Sequence, residues 1–211
     1  MKLDRHFYQQ DARKVARGLL GKYLVFESQS GRFCGRIVET EAYLGERDTA
    51  SHAFHGRTRR TEVMYGEGGH LYVYFTYGMH WLMNVVTGRE GSAEAVLLRA
   101  VEPVEGIALM NANRGGKALR LLTSGPARVA QAFGVDGSLN GADLCGDLIW
   151  IEARGDVIRA SQIVATKRIG VGYARAWKDR KLRFYLADSE FVSKAPRRRL
   201  RRLDDVASRD H

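Results

Sequence analysis

Ile37-Val38-Glu39-Thr40-Glu41-Ala42-Tyr43-Leu44-Gly45 is the stretch on which the fold and the chemistry of this chain both turn. The β-branched residues Ile37, Val38 and Thr40 favour a strand, and Gly45-Glu46-Arg47-Asp48 reads as the turn or loop that ends it. Side chains alternate along a strand, so Glu39, Glu41 and Tyr43 share one face and Thr40 and Ala42 the other. Two carboxylates and a phenol on one face, just ahead of a loop, are the makings of a site. On a strand face open to water the same glutamates would be ordinary surface residues.

Working outward, Tyr23–Ser28 also reads as a strand, and Gln29-Ser30-Gly31 turns it into a second strand, Arg32 to Tyr43, so the two form a hairpin. Before it, Asp11 is placed to cap a helix from Ala12 to Leu20, with Val15, Leu19 and Leu20 on its apolar side. After it, Gly45 to Gly69 is a polar, basic, glycine-punctuated loop holding His52, His55, Arg57, Arg59 and Arg60. An unstructured excursion of that length is uncommon unless it serves a function.

Leu71 to Tyr77 is a strand rich in aromatics, broken at Gly78-Met79-His80 and resumed from Trp81 to Val86. Strict alternation places Tyr72, Tyr74 and Thr76 on one face and Val73, Phe75 and Tyr77 on the other. Ala95 to Ala100 is a further strand, and Val101-Glu102-Pro103 leads to a helix from Val104 to about Asn113. Ser124-Gly125-Pro126 opens another helix, with proline in the first turn, where its missing N–H costs nothing. Leu148 to Glu152, Ile163 to Lys167 and Leu182 to Leu186 are short strands. Hairpins mixed with a few helices predict an α+β fold on an antiparallel sheet, as one domain over residues 1–193, followed by a basic, flexible tail over 194–211.

Composition narrows the partners. The chain has 211 residues, 45% of them hydrophobic and 27% charged, which suits a soluble globular protein and excludes wholesale disorder. Lys and Arg total 34 against 24 Asp and Glu, a formal charge of +10, which favours a polyanionic partner and nucleic acid above the rest. Two distant cysteines, Cys34 and Cys145, give no disulfide framework and predict a reducing, cytoplasmic setting. The charged start, Met1-Lys2-Leu3-Asp4-Arg5-His6, is no signal peptide, and no apolar run is long enough for a membrane span.

The sequence lacks more motifs than it carries. His52, His55, His70 and His80 lie within thirty residues but lack the paired spacing of a zinc signature, so no metal is expected. There is no phosphate-binding glycine loop and no G-x-S-x-G elbow, so no cofactor and no serine-hydrolase chemistry are expected. What remains is a carboxylate beside aromatics on a basic protein, a combination suited to chemistry on a nucleobase. A base must leave the stack to be reached, and a flipped base is held by π-faces and a few hydrogen bonds to its edge. Tyr43, His52, Tyr74 and Tyr77 are the candidates for those faces.

Several stretches then agree in order. Glu39-Thr40-Glu41-Ala42-Tyr43-Leu44-Gly45 with Asp48 and Ala50-Ser51-His52 resembles the signature of the alkyladenine (3-methyladenine) DNA glycosylase family. So do Leu71-Tyr72-Val73-Tyr74, Tyr77-Gly78-Met79-His80, Asn84-Val85, Val96-Leu97-Leu98-Arg99-Ala100-Val101-Glu102-Pro103, Ser124-Gly125-Pro126 and Arg183-Phe184-Tyr185. The resemblance implies a curved antiparallel sheet flanked by helices, with a protruding hairpin that enters the DNA minor groove. It implies Glu41, rather than Glu39, as the base that activates water against the sugar C1′, and Arg99 as the residue that orients the glutamate and the water. Tyr43, His52 and Tyr74 match the walls of the base pocket, with Leu97 beside them and Asn84 in a floor that disfavours the guanine amino group. Tyr77 matches the residue that fills the vacated place in the duplex. Arg99 near Glu41 is expected to depress the carboxylate pKa.

The family often carries Gly-Lys after the Gly-Pro where this chain has Ala127-Arg128, so a phosphate contact through Arg128 is expected with altered geometry. Phosphate contacts by Arg57, Arg59, Arg60 and the tail rest on charge alone. The implied activity is excision of alkylated purines, 3-methyladenine and 7-methylguanine, and of deaminated or etheno purines, leaving an abasic site in double-stranded DNA. The implied actor is a monomer working in the cytoplasm, at the nucleoid in a bacterium. The alternatives are a non-catalytic lesion or structure sensor on the same scaffold, against which Glu41, His52 and Arg99 argue, and an RNA-binding protein, suggested by charge alone.

Overall fold

The central strand runs Gly31–Leu44, one residue longer at each end than the Arg32–Tyr43 that the sequence predicts. The computed structural model describes residues 1–193; the basic tail expected over 194–211 lies outside the described residues. In chain order the elements are α1 (Arg5–Tyr8), α2 (Ala12–Gly18), β1 (Tyr23–Ser28), β2 (Gly31–Leu44), β3 (Leu71–Thr76), β4 (His80–Thr87) and β5 (Glu94–Glu105). They continue with α3 (Ile107–Asn113), α4 (Leu119–Leu122), α5 (Pro126–Phe133), β6 (Ile149–Glu152), β7 (Ile163–Thr166) and β8 (Arg183–Leu186). Asp11 caps α2 as expected, its side chain accepting from the Arg13 N–H.

The sheet is antiparallel throughout, in the order β3-β4-β5-β2-β1-β6, with β7 and β8 attached through a β8–β2 pairing. β2 organises it. Along one edge it pairs with β5; along the other it pairs first with β1 and then, at Glu39–Glu41, with β8. The sheet curls here because its longest ladder is irregular. Register shifts fall between Cys34 and Gly35, Ile37 and Glu39, and Glu39 and Thr40. Bulges of this kind bend strands and sharpen their twist. Gly35 sits at one of them, and a Cβ there would lie 2.7 Å from Val101 Cγ2, so only glycine lets the two strands close.

Helices α2 and α5 cover one face. Val15, Leu19, Val129, Ala130 and Phe133 pack there with Ala42, Val85, Val96 and Leu98, all buried. The concave face is left for the site.

Two local expectations are corrected. β5 does not stop near Ala100; it continues to Glu105, with Pro103 opposite Gly35 of β2. β4 pairs only with Glu94–Leu97, so at Pro103 the missing N–H leaves no β4 ladder bond unmade. The helix therefore starts later, at Ile107. The stretch Gly45–Gly69 is not a structureless loop. It folds into three 3-10 turns, Gly45–Arg47, His52–His55 and Glu62–Tyr65, and Met64 and Tyr65 are buried against Tyr72, Val86 and Ala95. Apolar anchors spaced beyond any helix or strand period hold it.

Candidate active site

One row of side chains crosses the sheet. Tyr72 of β3 faces Asn84 of β4, Asn84 faces Leu97 of β5, Leu97 faces Glu41 of β2, and Glu41 faces Arg183 of β8. Directly opposed residues point to the same face. Tyr74, two residues beyond Tyr72, and Tyr43, two beyond Glu41, extend that face at either end. Above the row lies a cavity of about 280 Å³, lined by Tyr43, His52, Tyr72, Tyr74, Tyr77, Asn84, Leu97, Arg99 and the segment Ile169-Gly170-Val171, among others. Every residue the sequence assigned to the base pocket is thus brought to one place.

Glu41 lies just behind this wall. It is fully buried and does not itself line the cavity, but its three partners do. The Tyr43 hydroxyl donates to Oε2 at 2.9 Å, the Ile169 N–H donates to Oε1 at 2.8 Å, and Arg99 Nη1 stands 3.2 Å from Oε2. Both glutamates are buried, which excludes the reading of a solvated strand face. The electrostatic expectation is also corrected. Burial raises the Glu41 pKa, outweighing Arg99, the Ile169 N–H and the Tyr43 hydroxyl, all of which lower it. Tyr43 is held well above the ordinary phenol range by burial and by the neighbouring Glu41 charge, so it stays a proton donor.

Glu39 has a different station. It accepts from Arg99 Nε at 2.9 Å, Arg183 Nε at 2.6 Å, the Ser193 N–H at 2.6 Å and the Ser193 hydroxyl at 2.9 Å. Arg99 is therefore gripped between two carboxylates. In the β2–β5 ladder Thr40 faces Leu98 and Glu39 faces Ala100, so Arg99 falls at the irregularity and has no β2 residue opposite it. Bulges next to functional sites re-aim side chains in this way.

The walls have their own supports. The His52 and Tyr74 rings meet edge to face, with centroids 4.5 Å apart, and His52 Nδ1 is 2.9 Å from the Tyr72 hydroxyl. Burial, helped by the Arg60 charge, lowers the His52 pKa to about 4. The imidazole is therefore neutral around pH 7. An NMR titration of this ring should show no protonation step near its ordinary pKa and a midpoint close to 4; a step near 6.5 would contradict the burial account. Asn84, buried in the floor, donates its amide N–H to the Tyr72 carbonyl at 3.2 Å.

Tyr77 corrects the alternation argument. β3 ends at Thr76, and Tyr77 and Gly78 both take positive φ, 52° and 65°, the pair of signs a type I′ turn requires. Alternation no longer applies there. Tyr77 is 85% exposed at the hairpin tip, yet it borders the same cavity as Tyr74. A non-glycine residue in the left-handed region is held at a cost, and such strain gathers at functional positions.

The basic residues expected at phosphate are scattered. Arg57 is tied to Glu62 at 2.9 Å, Arg59 is exposed, Arg60 lies against the Tyr74 ring, and Arg128 Nη1 turns back to the Ser124 hydroxyl at 2.9 Å. Sequence reading missed Arg168 and the Ile169–Val171 segment, which fall between the strands it assigned. Arg168 is fully buried, pairs with Asp48 at 2.5 Å and 2.9 Å, donates to the Ala42 carbonyl, and stacks on Tyr43. No signal in one sequence links positions 120 residues apart. Among the described residues no helix is long and apolar enough to cross a membrane.

Aromatic walls backed by a buried carboxylate and a guanidinium define a class of site: one with room for a flat ring and an acid–base group close behind it. The comparisons with known proteins agree with that class. The methylpurine-DNA glycosylase family profile matches residues 6–190. A protein of Carboxydothermus hydrogenoformans, provisionally named a 3-methyladenine DNA glycosylase, is 50% identical over 194 residues, covering 92% of this chain and 100% of its own length. A protein of the same provisional name from Desulfitobacterium hafniense is 47% identical, covering 91% of this chain and 98% of its own. The chain belongs to the methylpurine-DNA glycosylase family.

Proposed function

We propose that the chain is a monofunctional DNA glycosylase of base-excision repair, acting on alkylated purines in double-stranded DNA. The observation that carries this reading is the Glu41 carboxylate, held by Tyr43, Arg99 and Ile169 at the edge of an aromatic cavity. In the proposed reaction the damaged nucleotide leaves the stack and its base enters between Tyr43 on one side and His52 and Tyr74 on the other. Tyr77 takes the vacated place in the duplex; an aromatic wedge offsets the few kcal/mol of lost stacking.

Glu41 Oε1 has one protein donor, so it keeps an acceptor position for a water proton. Glu41 takes that proton as the water oxygen bonds to C1′ and the C1′–N bond breaks, its electron pair leaving with the purine. A methylated, cationic purine leaves as a neutral base. Arg99 keeps Glu41 oriented. Among the described residues no lysine lines the cavity, which is consistent with water attack and an abasic product in an uncut strand. The buried Asn84 and Leu97 floor limits room for a 2-amino group, which disfavours guanine. Although 7-methylguanine carries the same amine, its cationic ring weakens the C1′–N bond and lets it be released, as the neutral ring of undamaged guanine does not. In this reading the chain acts as a monomer, on DNA in the cytoplasm.

The test is a panel of duplexes carrying single 3-methyladenine, 7-methylguanine, hypoxanthine or ethenoadenine residues, assayed in single turnover with alkali to reveal abasic sites. Release of 3-methyladenine and 7-methylguanine without borohydride-trappable adduct is the expected result. Binding of these duplexes with no base released from any of them would favour the lesion sensor instead.

A further inference from the structure

Both tyrosine walls of the cavity are backed by arginines that do not line it. The Arg168 guanidinium lies 4.6 Å from the Tyr43 ring centroid and the Arg60 guanidinium 5.3 Å from that of Tyr74, both within cation–π range. Their charges differ in kind. Arg168 is fully buried and neutralised by a bidentate pair with Asp48. Arg60 is exposed and has no ion-pair partner among the described residues, so its charge reaches the cavity uncompensated. It is felt there: burial raises the Tyr72 and Tyr74 pKa values and lowers that of His52, and the Arg60 charge pulls all three downward.

Resting on the base-pocket reading above, we infer that Arg60 is a selectivity residue, one that disfavours cationic purines in the pocket relative to neutral purines of the same shape. A cation over the Tyr74 ring, itself outside the cavity lining, draws ring π-density toward itself and away from the cavity. The ring is then less negative toward the cavity, and a positively charged base stacked on it loses part of the attraction that the tyrosine would otherwise supply. The same field adds direct repulsion of a second positive charge. A neutral base meets neither penalty. The site therefore trades some grip on cationic alkylated bases, which are already good leaving groups, for relative grip on neutral ones, which depend more on binding. Such a charge, exposed to solvent, shifts the preference only modestly.

The experiment compares affinities, in a Glu41→Gln background that leaves the base in place. The two probes are matched duplexes carrying 7-methylguanine or its neutral 7-methyl-7-deazaguanine isostere, in mildly acidic buffer where the methylated base holds its charge. Arg60→Gln should raise the affinity for the cationic probe relative to the neutral one by about threefold, the range of a single exposed cation–π contact. Arg60→Lys, which keeps the charge, should leave the ratio close to the parent. A phosphate-contact role would weaken both complexes equally, so an unchanged ratio in Arg60→Gln, or a shift toward the neutral probe, overturns the inference while leaving the proposed function standing. If neither probe binds more tightly than undamaged duplex, the base-pocket reading fails and this inference fails with it.

Discussion

Glu41→Gln is expected to lower single-turnover base release by between about 10² and 10⁴, the usual worth of a positioned general base, while lesion-duplex affinity stays close to the parent. Glutamine fits the same space. Its carbonyl oxygen still accepts from the Ile169 N–H, and Arg99 keeps its 2.9 Å contact with Glu39, so the pocket stands. What is lost is the capacity to take a proton from water. Release at the parent rate would remove Glu41 from the mechanism. The pH profile of the parent gives a second check on the same group. The ionised carboxylate is the active form, and burial lifts its pKa above the ordinary 4.5. Base release should therefore fall as pH drops through a value higher than 4.5, not lower. Arg99→Gln removes the charge that opposes burial and should move that limb further up.

The second large effect falls on Glu39. Its carboxylate is fully buried and takes four hydrogen bonds, two of them from the buried arginines 99 and 183. Glu39→Ala leaves two guanidiniums without that counter-charge, and breaking a buried pair from one side typically costs about 3–5 kcal/mol. Denaturant unfolding should show that loss. Activity should drop in parallel even in the folded fraction, because Arg99 keeps Glu41 but loses the partner that fixes its Nε. A fully stable variant would mean that the cluster is an ornament of the interior and not its clasp.

Much of this was legible in the sequence. The strand alternation of Glu39, Glu41 and Tyr43, the proline at the start of α5 and the capping by Asp11 are local signals, and each appears where local physics puts it. Glu41, Tyr74, Asn84 and Arg99 were singled out by an ordered set of motifs and meet on the sheet, and His52 joins them from the 3-10 turn His52–His55. What stayed hidden is non-local. Whether burial or Arg99 governs the Glu41 proton depends on how completely the strand is covered, which no neighbouring residue states. The bond from Ile169 to Glu41 spans 128 positions. The turns of 45–69 are ordered by Met64 and Tyr65 sinking into a side cluster, which their spacing does not announce.

The row Tyr72, Asn84, Leu97, Glu41 and Arg183 beneath and behind the cavity draws one residue from each of five strands. Nothing in such a cross-section can shift alone. A change of appetite toward differently shaped lesions must come instead from the rim, where His52 and residues 169–171 ride on irregular backbone. The foundation fixes where the bond is broken, and the margins are free to decide for whom.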